Sequence, residues 1–261
     1  MEFLSGIFIF LAGLWAGTIN SVVGSGTLVT FPVLIALGMA PVTASISNAT
    51  GLVAGNAAGA WGYRKELVGR GQQLIKLLPA SLLGGITGAW LLLQLPEQVF
   101  HYAAPVLIIL ALLMVVFQPR LQRWVREREE NPEHALRDKS HGIILLVLVY
   151  LAGVYGGYFV AAQGILLVGI LGIFLTGTIQ NANAMKNILV LGVNMIAAVS
   201  YLIFAFDRIN WAAVGIIAVS SVIGGYFGSK VGRRLSPTVL RGVIFTLGLV
   251  ALGFMTANLL E

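Results

Sequence analysis

The chain has 261 residues, of which 58% are hydrophobic and 10% charged, against about 25% charged in an ordinary globular domain. With a mean hydropathy of +0.92, this composition excludes a soluble enzyme, a disordered chain and a nucleic-acid-binding domain, and makes the lipid bilayer the natural solvent. The net charge of +6 sits in short connections between apolar runs and carries a topology signal instead of a ligand signal.

The first apolar run extends from Phe3 to about Val23 and is broken by Gly24-Ser25-Gly26. It has no basic leader and no small-residue cleavage pattern, so it reads as a membrane segment and not as a removable signal peptide. A short run follows from Thr27 to Leu37, then Val42 to Gly62, Leu74 to Leu95 and Val99 to Phe117. A polar stretch from Gln118 to Ser140, with Arg120, Arg123, Arg126, Arg128 and Glu129-Glu130, reads as a loop, with room for an interfacial helix. The second half repeats the order: His141 to Ala161, a break at Ala162-Gln163-Gly164, a short run from Ile165 to Leu175, then Asn181–Phe206, Trp211–Gly228 and Val239–Leu259. Residues 1–118 form a first membrane repeat, 119–140 a cytoplasmic basic linker and 141–261 a second repeat. The expected class is all-α: a polytopic helical membrane protein with about eight spans plus two hairpins, or about ten segments.

A shift of 140 places Ala12-Gly13 on Ala152-Gly153, Gly17 on Gly157 and Gly24 on Gly164. It also places Gly84-Gly85 and Gly88 on Gly224-Gly225 and Gly228, while a shift of 139 relates Gly38 to Gly177 and Asn48 to Asn187. A shared offset over most of the chain indicates an internal duplication. Arg64, Lys65, Arg70 and Lys76 mark one loop as cytoplasmic, and Lys230, Arg233, Arg234 and Arg241 mark another. The turn at Glu97 and its repeat equivalent near Ser236 then fall on opposite sides, so the repeats are expected to be inverted, with broken or re-entrant helices and both termini outside.

All ten carboxylates lie in loops, at segment ends or at the termini, which argues against a buried proton relay or carboxylate cation site. His101, His134 and His141 are dispersed and cysteine is absent, so disulfides, thiolate metal sites and a histidine metal site are not expected. No catalytic nucleophile has a buried His or acid partner, and neither a cofactor nor a metal is expected. Lys186 stands apart, inside an apolar run with Asn181, Asn183, Asn187 and Asn194 around it. It reads as a cationic contact for an anion, or more plainly as a lysine snorkelling to the surface. The breaks at Gly24-Ser25-Gly26-Thr27 and Gln163-Gly164 would start new helices whose N-termini favour an anion, or would serve only for close packing. Ser47 and Asn48, with Asn187, offer hydrogen bonds to an oxyanion or between helices; Asn20 and Asn194 are weaker candidates. The Gly84-Gly85-Gly88 and Gly224-Gly225-Gly228 faces read as packing surfaces.

Leu11-Ala12-Gly13, the Gly24-Ser25-Gly26 break, Phe31-Pro32, Leu37-Gly38 and Ala44-Ser45-Ile46-Ser47-Asn48 resemble the sulfite exporter TauE/SafE family. Trp61-Gly62-Tyr63-Arg64-Lys65 and Ala184-Met185-Lys186-Asn187 fit the same pattern. The resemblance covers essentially the whole chain. It departs at Ser25, inside what is often an all-glycine run, and at the glycine-poor Ala161-Ala162-Gln163-Gly164. It implies a multi-pass inner-membrane transporter, with some members exporting sulfite or organosulfonates.

The expected function is a secondary transporter, exporting a small anion such as sulfite or an organosulfonate by alternating access. Its partners are a small anionic substrate and the bilayer, without nucleic acid, and small-residue faces also suit a homodimer. The competing readings are a permease or channel for another solute, and a non-transport membrane protein, either an enzyme or a complex subunit.

Overall fold

The computed structural model describes residues 3–129, 142–175, 177–231 and 237–260. Ten α-helices account for nearly all of these: α1 (Phe3–Val22), α2 (Thr27–Ala36), α3 (Pro41–Gly62), α4 (Gly71–Gln94), α5 (Glu97–Glu129), α6 (Gly142–Tyr158), α7 (Gln163–Phe174), α8 (Ile179–Phe204), α9 (Trp211–Val231) and α10 (Pro237–Leu260). Among the described residues, five helices are long and apolar enough to cross a membrane: Phe3–Val22, Gly71–Gln94, Glu97–Arg123, Ile179–Phe204 and Trp211–Lys230. The expected segments match these helices closely, with one difference. α5 continues through Pro119 to Glu129, where a loop was expected from Gln118. Gln, Leu, Arg and Glu after Pro119 are good helix formers, and a proline is tolerated where neighbouring groups take up the freed carbonyl. Residues 130–140 of the central linker, with Arg233 and Arg234, lie outside the described residues.

Glycine sets how closely the helices approach. A Cβ on Gly17 (α1) would lie 2.2 Å from the Ser221 carbonyl oxygen, and one on Gly224 (α9) would lie 2.0 Å from the Leu14 oxygen. The equivalent positions of the second half behave alike. A Cβ on Gly157 (α6) would lie 2.3 Å from the Gly85 oxygen, and one on Gly84 (α4) would lie 2.2 Å from the Tyr150 oxygen. Backbone therefore meets backbone in α1–α9 and again in α4–α6, where dispersion and weak polar contacts replace the hydrophobic effect as the adhesive. In both pairs residue numbers rise together. Gly13 lies against Ile217 and Gly17 against Gly225; Gly84 lies against Gly153 and Gly88 against Gly157. α1 thus runs parallel to α9, and α4 to α6. α3 also runs with α9, through Gly51 on Ile217, Gly55 on Ser221 and Gly62 on Ser229.

The turns sort onto two ends of this bundle. At one end Glu97, before α5, pairs with Arg208, before α9, at 3.5 Å, and the Asn210 amide donates to the Ser47 hydroxyl at 2.9 Å. At the other end the Asn181 side chain donates to the Glu66 carbonyl at 2.7 Å, joining the α3–α4 turn to the start of α8. Thr178 and Asn181 form a capping box there.

α1 and α2 form a hairpin opening toward the Glu97 end, and α6 and α7 form one opening toward the Arg70 end. At about 1.5 Å per residue, α2 and α7 are roughly 15 and 18 Å long. Laid tip to tip they match the ~30 Å hydrocarbon core of a bilayer. An aromatic cluster seals the first hairpin: Phe31 of α2 lies edge-on to Phe159 at 5.4 Å, and Phe100 of α5 lies 6.0 Å from Phe159. All three rings are buried, and each such pair adds about 0.5–1.5 kcal/mol beyond its area.

Candidate functional site at the hairpin junction

The two breaks meet. Gly24 adopts φ +88°, and its carbonyl accepts a hydrogen bond from the Gly164 amide at 3.2 Å. A Cβ on Gly24 would lie 2.6 Å from Gly164 Cα, and one on Gly164 would lie 2.5 Å from Gly24 Cα. Only glycine on both sides allows this crossing. The second tip reaches it without a glycine run, by holding Val160 at φ +66° and Ala162 at φ +58°. Left-handed backbone at a β-branched and an alanine residue is strained, by about 1–3 kcal/mol each, and persists because both residues are buried in a packed tip.

Lys186 reaches the junction from α8. It is 0% exposed, so it does not snorkel. Its ammonium donates to the carbonyls of Asn20 at 3.1 Å and Ser21 at 3.4 Å, in the last turn of α1. A cation at a helix C-terminus satisfies orphan carbonyls and the negative end of the helix dipole. An ammonium has three hydrogens, and these two bonds leave one uncommitted. A Cβ on Gly164 would lie 3.0 Å from Lys186 Cδ, so the lysine stem runs directly beneath the second tip. Among the described residues Lys186 is the one buried Lys or Arg, and no Asp or Glu is buried. Asn187 adds a further donor to the Ser21 carbonyl at 3.4 Å.

The first tip is braced by its own amides. The Gly26 amide donates to Asn20 Oδ1 at 3.3 Å, and the Asn20 side chain donates in turn to Asn56 Oδ1. Asn48 takes a hydrogen bond from the Thr30 hydroxyl and donates to the Thr27 hydroxyl at 3.1 Å. α2 is thereby tied to α3. Two amides expected to face an anion, those of Gly26 and Gly164, are thus committed within the protein.

Of the residues singled out from sequence, Gly24, Ser25, Gly26, Thr27, Asn48, Gln163, Gly164, Lys186 and Asn187 gather around the two tips. Ser47 does not; it holds the Asn210 amide at the Glu97 end. Several buried groups have no hydrogen-bond partner among the described residues: the Ser25 hydroxyl, both ends of the Gln163 amide, Asn56 Nδ2 and, further along α8, both ends of the Asn194 amide. Asn20 carries more of the junction than a weak candidate should, bracing α2 by its side chain and meeting Lys186 by its carbonyl. Gln118 was missed. It is buried, and its Nε2 reaches the Val23 carbonyl at 3.5 Å. Its position at the edge of a basic stretch hid it; the proline after it, inside an otherwise helical pattern, was the available signal.

Known proteins similar to this chain are named as membrane transporters. The "Probable membrane transporter protein YfcA" of Escherichia coli K12 is 25% identical over 98% of this chain and 90% of its own length. A "Probable membrane transporter protein" of Haemophilus influenzae is 24% identical over 90% of this chain and 88% of its own. The "Probable membrane transporter protein ORF9" of a Sinorhizobium species is 27% identical over 87% and 81%. No solved structure matches the chain. The pattern of the sulfite exporter TauE/SafE family matches residues 9–255, and the chain belongs to that family.

Proposed function

We propose that this protein is a secondary transporter of a small anion, sulfite or an organosulfonate first among them, working by alternating access with the hairpin junction as its binding site. The observation that carries the reading is Lys186: a fully buried ammonium with one uncommitted hydrogen and, among the described residues, no buried carboxylate. A buried cation without a counter-ion is costly, and an anionic solute supplies one. Ser25, Gln163 and Asn187 would add polar contacts, with Thr27 and Asn48 holding the first tip in shape. Of the amides in Gly24-Ser25-Gly26 and Gln163-Gly164, the committed one of Gly164 would become available only as the tips separate.

The same reading takes residues 1–118 and 141–261 as inverted repeats joined by a basic linker at 119–140. The reciprocal packing of α1 on α9 and α6 on α4, and hairpins that open to opposite ends, support it. The Arg70 end, with Arg64, Lys65 and Lys76, would face the cytoplasm, and both termini would lie outside the inner membrane.

A second reading has its own observation. Lys186 already caps α1 through two carbonyls, which suits a scaffold role in a carrier of a neutral solute. Flux in proteoliposomes separates the two. Lys186→Met, of similar length and uncharged, should abolish sulfite and sulfonate flux in protein that still elutes as a folded species. Undiminished anion flux in that variant would exclude Lys186 from the site and favour the scaffold role.

A further inference from the structure

The junction holds more unused hydrogen-bonding capacity than a bare oxyanion can satisfy. Gln163 and Asn194 are each 0% exposed, and neither the oxygen nor the nitrogen of either amide has a partner among the described residues. Both border the crossing of α4 and α6, Asn194 through its neighbour in the chain and Gln163 directly. Gly85 of α4 packs against Val193, the neighbour of Asn194, and its carbonyl faces Gly157 of α6. The Gln163 side chain fills the space beside the adjacent Gly156, where a Cβ would fall 2.1 Å from its Cδ. Gln163 also precedes Gly164, which rests on the Lys186 stem. Whichever way round an amide is placed, it offers both a donor and an acceptor. Each of these two side chains therefore requires a hydrogen as well as an oxygen from whatever fills the site.

Charge gives the second constraint. One ammonium, with no buried carboxylate among the described residues, balances one negative charge. A dianion would leave an uncompensated charge in a medium that solvates it poorly. A monoanion with oxygens alone would face the Gln163 and Asn194 carbonyl oxygens with nothing to donate.

Resting on the anion reading above, we infer that the junction selects a monoanion carrying its own hydrogen-bond donor, such as hydrogen sulfite or a hydroxyalkylsulfonate, over a dianion or a sulfonate without one. The test is calorimetric binding to the purified full chain at one fixed pH. The probes are 2-hydroxyethanesulfonate, ethanesulfonate, which differs by the absent hydroxyl, sulfate as the dianion, and ethylene glycol as a neutral control. The hydroxysulfonate should bind about tenfold more tightly than ethanesulfonate, since leaving a buried polar group unpaired costs on that order. Sulfate should bind weakest of the three anions. Gln163→Met and Asn194→Leu should each narrow the ratio between the sulfonates.

Equal binding of the two sulfonates, or sulfate binding as tightly as either, overturns this selectivity while leaving an anion site in place. An unchanged ratio in both variants removes the two amides from it. Failure of all three anions beside binding of the neutral control overturns the anion reading itself.

Discussion

The Gly164 amide donates to the Gly24 carbonyl across 3.2 Å, and this bond joins the tips of two hairpins that enter the bundle from opposite ends. Any path through the junction has to open this contact. Its closeness comes from two absent methyl groups, and its geometry from a left-handed Gly24.

Gly24→Ala therefore meets two obstacles, the positive φ and the Gly164 backbone. Gly38, at φ +82°, meets only the first, because a Cβ there would enter open space. Gly38→Ala should cost about 1–2 kcal/mol from backbone conformation alone. Gly24→Ala should cost more by a further ~1–3 kcal/mol of overpacking. Thermal unfolding of the two variants in the same detergent measures the difference; equal losses would mean that the tips part without resistance.

The two glycine interfaces should respond as a pair. Gly17→Val and Gly157→Val each drive a side chain into a facing carbonyl, at Ser221 and Gly85 respectively. Both should destabilise by several kcal/mol, on the scale of overpacked cores, and by similar amounts. A large effect at one site beside a negligible effect at the other, read from melting curves, would show that the two packings are not energetic equivalents.

Asn48→Ala removes the links from α3 to Thr27 and Thr30 together. Leaving those buried hydroxyls without their partner should cost about 1–3 kcal/mol. Hydrogen exchange should rise in α2 (Thr27–Ala36) and leave the α4–α6 interface protected; uniform protection across α2 would place its anchorage elsewhere.

The Glu97–Arg208 pair makes the opposite case. Its side chains are 60% and 48% exposed, and exposed pairs contribute about 0–1 kcal/mol. Glu97→Gln should leave the melting temperature within about 2 °C of wild type, given the small shift expected for so weak a term in a chain of this size.

Orientation is open to a direct measurement, because the chain contains no cysteine. Single cysteines at Gln98 and at Gln72 stand at opposite ends of the bundle. A membrane-impermeant maleimide applied to intact cells should label Gln98→Cys and spare Gln72→Cys. The reverse pattern would invert the proposed topology.

Much of this fold was legible in the residues because membrane helices announce themselves by length and apolarity, and glycine by position. The shift of 140 paired Gly17 with Gly157 and Gly84 with Gly224, and at each of the four a Cβ would meet a carbonyl oxygen of a facing helix. The breaks at Gly24 and Gly164 were legible for the same reason. What was not legible depended on tertiary partners. Nothing local to Lys186 indicates that α1 ends beneath its ammonium, so snorkelling remained a fair expectation until its burial was known. Ser47 and Asn48 are neighbours in sequence, yet their hydroxyl and amide leave the helix on different faces, toward Asn210 and toward α2. Gln118 was read with the charged residues that follow it, although helix geometry turns it inward and Arg120 and Arg123 outward.

The reciprocal packing has a consequence for biogenesis. α1 is complete at Val22, but the helix it docks against begins only at Trp211. At synthesis rates of roughly 5–20 residues per second, the intervening stretch of about 190 residues takes on the order of 10–40 s. Throughout that interval the face bearing Gly13 and Gly17 has no α9 to meet and is bordered by lipid or by the insertion machinery. The second half is not appended to a finished first half: it closes it, and a nascent chain stalled before α9 holds its first hairpin unclasped.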